Sequence, residues 1–325
     1  MPTHRFIDLQ SDFTPPSAMI PFADNAPIVA PAAMQDALDH WQFGSSSASR
    51  NGRVNGLALR LGLAQATVTG GSAYSSLPDV TLAGAGATGL TAFSNTSGGA
   101  LYSVGITGQP QDDTSAVTGT ISGGGGSGGA VTFARGSEPT YNAASAVIAA
   151  GRVNGLISPI NDMAVYTQLF LVKRPPLATN QRIGGTAMYT GGARGTAIGG
   201  DGPAWNSSNL LQINGAGLSD DTLAPPASWT PGLWGVVAVS QSAIQRIFMA
   251  FGPDLASTKV IRAGAKTVAN PQRKLAIGGI HYDFGSVYAQ LEISEWVPFN
   301  IALSEGQMSQ RAFDLLDNAR INGLI

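Results

Sequence analysis

The chain has 325 residues and a formal net charge of −2, with 12% charged and 43% hydrophobic residues. That hydrophobic share supports a packed core, and 42 glycines among so few charges point to an all-β protein rich in turns. No block of Lys or Arg forms a phosphate-binding stripe, which argues against nucleic acid, and the absence of cysteine excludes disulfides, thiolate metal sites and cysteine nucleophiles.

Residues 1–30 read as an extended arm. Pro2, Pro15, Pro16, Pro21 and Pro27 interrupt regular structure, and Phe6, Ile7, Phe13, Ile20 and Phe22 give it more apolar surface than a solvated tail carries. The arm is expected to dock on a partner. Met1 to Asp12 shows no apolar signal-peptide region, and no segment is long and apolar enough to span a membrane, so an extracellular role would need release by lysis or another export route. A short helix is expected next, from Met34, Leu38 and Trp41 at i, i+4 and i+7. Asn55-Gly56 then signals a hairpin turn, and Leu57, Leu59 and Leu61 alternate as on a half-buried strand.

Two glycine-rich stretches follow, 39 residues apart, Val80 to Gly89 and Gly119 to Gly128. Shifting the first onto the second places Thr81 on Thr120, Leu82 on Ile121, Gly84 on Gly123 and Gly89 on Gly128. Each reads as strand, glycine turn, strand, a building block of elongated β structure. Both match G-x-G-x-x-G, but a dinucleotide loop must open a helix, and no helical period follows either copy.

From about residue 138 longer strands appear. Val165, Thr167, Leu169 and Leu171 alternate with Tyr166, Gln168, Phe170 and Val172. Further strands are expected at 233–240, 246–251, 274–280 and 287–297, which suggests an antiparallel sandwich. The string R-[V/I]-N-G-L occurs at Arg53, Arg152 and Arg320, either as recurrent turn chemistry or as three equivalent turns of related units. Ser304 and Gln307 form a capping-box pair, with an apolar stripe of Met308, Ala312, Leu315, Leu316 and Ala319 and a stop at Asn322-Gly323.

Two resemblances add to this reading. Tyr74 to Gly86 resembles the Y-[ST]-x-x-P-x-V-T-[IL]-x-G-x-G repeat of bacteriophage tail-fibre and related virion proteins; the second copy lacks the Tyr and the Pro. Trp41 to Gly44, Trp234 to Val239, Lys274 to Gly279, Glu292 to Trp296 and Asn300 to Glu305 resemble a concanavalin-A-like jelly roll of the laminin-G type. Together they imply an arm and short helix over 1–37, a jelly-roll sandwich over 38–65 and 136–325, and a glycine-rich insert over 66–135. The function they imply is a structural or receptor-binding virion protein, assembled in the host cytoplasm and carried on the particle. Its partners would be other virion proteins, through the arm, and a host-surface glycan or protein. Alternatives are a carbohydrate-active enzyme or secreted lectin, and a capsid-surface decoration protein. A homo-oligomer is expected because short Gly/Ala units bury little apolar surface alone; the resemblance favours a trimer.

The candidate ligand residues are Tyr189, Trp205 with Asn206 and Asn209, and His281-Tyr282-Asp283, aromatics and planar polar groups in expected loops that could stack on and hydrogen-bond a sugar. They could equally plug a rim or pack on a neighbour. Trp41, Trp234 and Trp296 read as packing. No catalytic residue is expected: Glu292 and Glu295 lie three apart, which regular pleating sends to opposite faces, whereas a retaining glycosidase needs two carboxyls on one side of its substrate. The glucanases of the resembled fold carry E-x-D-x-x-E, and here the middle position is Ser294. His4, His40 and His281 are too scattered for zinc. Asp201, Asp220 and Asp221 could hold calcium or be solvated loop carboxylates, and no cofactor is expected.

Overall fold

The alternation at 165–172 folds as the central strand of the largest sheet. The computed structural model describes residues 34–97, 99–151, 154–176, 180–186, 202–215, 218–268, 274–278 and 289–325. In this sheet the strands run Ser257–Ala263, Gln245–Phe251, Trp234–Gln241, Tyr166–Lys173, Leu291–Phe299, Ala146–Ile148 and Thr140–Tyr141, with Trp41–Gln42 also paired to Leu291–Phe299. Every pairing is antiparallel. β-branched and aromatic residues fill the central strands, where both faces are covered.

Tyr166, Phe170 and Val172 enter one apolar cluster, and Leu169 and Leu171 enter another on the opposite face. The first cluster joins the large sheet to two separate four-stranded sheets. One runs Gly184–Gly185, Lys274–Gly278, Gly155–Asn161, Arg60–Leu61; the other runs Gln181–Arg182, Gly202–Trp205, Leu211–Gly215, Leu218–Leu223. At its centre the rings of Trp41 and Trp296 stack at 4.6 Å and Phe170 lies parallel to Trp296 at 6.1 Å. Such pairs contribute about 0.5–1.5 kcal/mol beyond burial alone. The second cluster lies under Glu305–Ile321, the one α-helix among the described residues, which buries Met308, Ala312, Leu315, Leu316 and Ala319 as its spacing predicts. The Ser304 side chain accepts from Gln307 N while the Gln307 side chain accepts from Ser304 N, a complete capping box. Gly323, at φ 69°, ends the helix, with Leu324 N donating to Ala319 O.

The all-β class holds, but the expected jelly-roll sandwich is corrected. The second layer is split in two, and the helix covers the outer face of the large sheet, so its central strands are buried on both sides. The helix expected over Met34 to Trp41 is absent. Met34 packs under the C-terminal helix, whereas Trp41 lies in a two-residue strand facing the other cluster. The chain does reverse at Asn55-Gly56, with an antiparallel bridge from Asn51 to Ala58, and the Asp39 carboxylate accepts from the backbone N–H groups of Val54, Asn55 and Leu57 within this loop. The three R-[V/I]-N-G-L strings are not equivalent turns. The first is this loop, the third is the helix C-terminus, and Arg152 and Val153 of the second lie outside the described residues.

Between Leu63 and Arg135 the chain builds a further four-stranded sheet, Leu63–Gly70, Gly129–Arg135, Thr118–Ser122, Asp79–Ala83, and a hairpin of Thr91–Ser97 with Ala100–Thr107. Both glycine-rich copies are strand–turn–strand units, and their leading strands pair with each other: Val80 opposes Ile121 and Thr81 opposes Thr120. The residues that match in the repeat are thus partners or near-partners in the ladder. Gly84 has φ 103°, and a Cβ there would sit 2.3 Å from Ala116 O. Neither glycine turn opens an α-helix, as expected for a non-nucleotide motif. Asp113 ties this region to the body: its carboxylate accepts from Leu61 N at 2.7 Å and from Arg50 at 2.9 Å.

Candidate functional site

The strand Tyr166–Lys173 stops where Pro175 and Pro176 cannot continue the ladder. Beside it, Leu291–Phe299 begins at Leu291, after Ala289 N has donated to Asn180 O. These ends and Gln181 enclose a cavity of about 370 Å³ lined by Lys173, Arg174, Pro175, Pro176, Gln181, Ala289, Gln290 and Glu292. Its size suits one or two sugar rings or another small ligand.

Polar groups converge on it. Lys173 Nζ donates to Glu292 Oε2 at 3.0 Å and sits 5.9 Å from the centre of the Trp234 ring. Glu292 Oε1 accepts from Ser145 Oγ at 3.1 Å. Gln181 Nε2 donates to Gln290 O, which fixes the amide; its Oε1 is buried with no hydrogen-bond partner. An unpaired buried acceptor costs about 1–3 kcal/mol, so it favours a ligand that donates a hydrogen bond. The Arg174 guanidinium lies 5.3 Å over the Trp205 ring, and its Nη1 donates to Trp229 O. Burial holds the Arg174 pKa below its ordinary value.

Of the sequence-based candidates, Trp205, Asn206 and Asn209 are described and do not line this cavity. Trp205 is in a strand, not a loop; it is 1% exposed and meets Trp229 edge-on at 5.3 Å, so it offers no open face. Asn206 Oδ1 accepts from Ser208 N and Leu210 N and shapes its own turn, in which Asn209 has φ 60°. Tyr189, His281, Tyr282 and Asp283 lie outside the described residues, as do the arm residues Phe6, Ile7, Phe13, Ile20 and Phe22, and His4 and Asp201. Asp220 and Asp221 are in the strand Leu218–Leu223, and the Asp221 carboxylate is taken by Arg246 and Arg262. Among the described residues no cluster of acidic or histidine side chains forms a metal site. The sequence reading missed Lys173, Arg174, Gln181 and Gln290. The run Lys173-Arg174-Pro175-Pro176 at a strand end was the available signal.

The reasoning about Glu292 and Glu295 is corrected by a bulge. Leu171 pairs with Glu295 but Val172 pairs with Ile293, so Ser294 is an extra residue. Glu292, opposite Lys173, and Glu295, opposite Leu171, therefore share the outer face. They differ in access. The Glu292 side chain is 20% exposed, whereas Glu295 is fully buried with Oε2 2.6 Å from His40 Nε2.

No family model and no curated protein sequence matches the chain. Solved structures do align. A leech intramolecular trans-sialidase complexed with 2,7-anhydro-Neu5Ac is 15% identical, with 52% of this chain on 27% of that one at a TM-score of 0.38. Trypanosoma rangeli sialidase in complex with sialic acid is 8% identical over 74% of this chain and 53% of that one, at 0.40. NanB with optactamide is 15% identical over 46% and 24%, at 0.32. This chain thus spans about a quarter to a half of those proteins, and similarity at this level assigns it no activity. None of these three proteins is a virion component, in contrast to the resemblance expected from sequence. The tail-fibre, tail-tip and capsid-decoration readings and the virion location are set aside, and so is the expectation of no enzymatic role that went with them. Among the described residues no helix is long and apolar enough to cross a membrane.

Proposed function

We propose that the chain is a carbohydrate-active protein that holds a saccharide in the cavity between Lys173 and Glu292. The observation that carries this reading is the unpaired Gln181 Oε1, buried beside an ion pair and the apolar walls of Pro175, Pro176 and Ala289. Sugars present rows of hydroxyl donors and apolar C–H faces, and this lining complements both. A glycan array on the full chain, followed by calorimetry with the best binder, tests it. Glu292→Gln is expected to weaken binding about tenfold, since a charged hydrogen-bond partner contributes about 1.5–3 kcal/mol. Binding unchanged by Glu292→Gln, or no binding to any glycan, contradicts the reading.

A hydrolytic version rests on the bulge that brings Glu292 and Glu295 to one face. Reducing-sugar release by the wild type, lost in Glu292→Gln, supports it; binding without release leaves recognition alone. Self-association through the apolar residues of the arm remains part of the proposal. It is tested by sedimentation of the full chain against one lacking residues 1–30, and a monomer in both contradicts it.

A further inference from the structure

We infer that the ligand of this cavity is an acidic saccharide whose anionic group is taken by Arg174 and one of whose hydroxyls is taken by Gln181. The inference rests on the saccharide reading above and adds the charge of the ligand. Among the described residues three charged ones line the cavity, Lys173, Arg174 and Glu292. Lys173 and Glu292 neutralise each other at 3.0 Å. Arg174 is left over: among the described residues its guanidinium forms no ion pair with any carboxylate, its Nε is buried without a partner, and the one hydrogen bond of the guanidinium is from Nη1 to Trp229 O. The stack on Trp205 holds the guanidinium plane in place. A partly desolvated cation fixed in a cavity without a counter-ion is complemented by an anion, and a guanidinium suits a carboxylate or sulfate.

Gln181 supplies the second constraint. Turning its amide over would set Oε1 against Gln290 O, so the orientation seen is enforced and the free acceptor is permanent. A ligand with an anionic group alone satisfies Arg174 but leaves this oxygen unpaired. One that also carries a neighbouring hydroxyl satisfies both.

The test is calorimetry on the full chain with matched pairs, D-galacturonate against D-galactose and D-glucuronate against D-glucose, with acetate and sulfate as free anions. At least one acid should bind about tenfold or more tighter than its neutral partner, as expected for one charge-assisted contact. Arg174→Gln should erase that ratio while neutral-sugar binding persists, and Arg174→Lys should keep part of it. Gln181→Met should weaken both members of a pair equally. Should Arg174→Gln fail to fold, having lost its bond to Trp229 O, Arg174→Lys decides: it keeps the charge but not the planar fork, and the ratio should fall clearly below that of the wild type. A wild-type ratio near one, or a ratio unchanged in Arg174→Gln or Arg174→Lys, overturns the inference while the saccharide reading stands. Acetate or sulfate binding as tightly as the acid sugars marks a free-anion site and overturns it too. Binding of no sugar at all removes both readings.

Discussion

The body of the molecule and the glycine-rich region are both antiparallel β structure, yet they are held together differently. The body's main cluster buries four tryptophans and several other aromatic rings between layers. The region from Leu63 to Arg135 has two small clusters, centred on Tyr74, Val104, Ile121 and Val131 and on Leu63, Ile106 and Val117. In the body, side-chain volume fixes the packing. In the glycine-rich region, missing side chains let backbones approach. The cavity belongs to the body, where Gln181 is held by Gln290 O and Arg174 by Trp229 O and the Trp205 ring, while Gln181 Oε1 and Arg174 Nε have no protein partner among the described residues.

This contrast can be broken first at Trp296, whose ring stacks on Trp41 and donates from Nε1 to Gln168 Oε1. Trp296→Ala should lower stability in chemical denaturation by about 3–5 kcal/mol. A loss below about 1 kcal/mol would mean that the body does not depend on side-chain volume in the way described. The reciprocal substitution is Gly84→Ala, which meets both a positive φ and the Ala116 carbonyl. It should cost about 1 kcal/mol or more. Its effect should be local: amide exchange should accelerate within residues 79–122 and stay unchanged in Trp234–Gln241.

Acid sharpens the comparison further. The Asp112 carboxylate accepts from the Ser115 hydroxyl and from the backbone of Ser115 and Thr114, and these hydrogen bonds hold its pKa well below the usual carboxylate range. Asp221 in the body is lowered as well: burial, its largest single influence, raises it, but the bonds from Arg262 and Arg246 together outweigh that. A carboxylate depressed in the folded state adds stability above its unfolded pKa of about 3.9, and the contribution is lost as pH falls from there towards the folded value. Both regions should therefore weaken below about pH 4. Asp112→Asn should flatten that acid dependence in the glycine-rich region and leave the body's unchanged, as read by exchange at the two sets of strands. Equal flattening in both would contradict the separation.

Local periodicity was legible wherever one element supplied its own signal. The helix, its cap and its buried stripe follow from Ser304 to Ala319 as the sequence predicts, and so do the two faces of Tyr166–Lys173 and the strand–turn–strand copies. What depended on distant partners was not legible. A bulge at Ser294 has no signature in Glu-Ile-Ser-Glu, because it exists only in the pairing with Leu171 and Val172. The turn at Asn55-Gly56 was legible, but the three backbone hydrogen bonds that Asp39 accepts across it are contained in no local rule. The aromatic-in-a-loop criterion picked Trp205, which tertiary packing buries, and passed over Arg174 and Gln181. Their role comes from what the fold leaves unpaired, and residue type alone does not show that.

The most direct measurement is a crystal structure of the full chain soaked with the tightest-binding saccharide found in solution. The account predicts a sugar ring in the cavity, within hydrogen-bond distance of Gln181 Oε1 and in contact with the Arg174 guanidinium and the Lys173–Glu292 pair. A sugar bound elsewhere on the molecule, with this cavity unchanged, would contradict it.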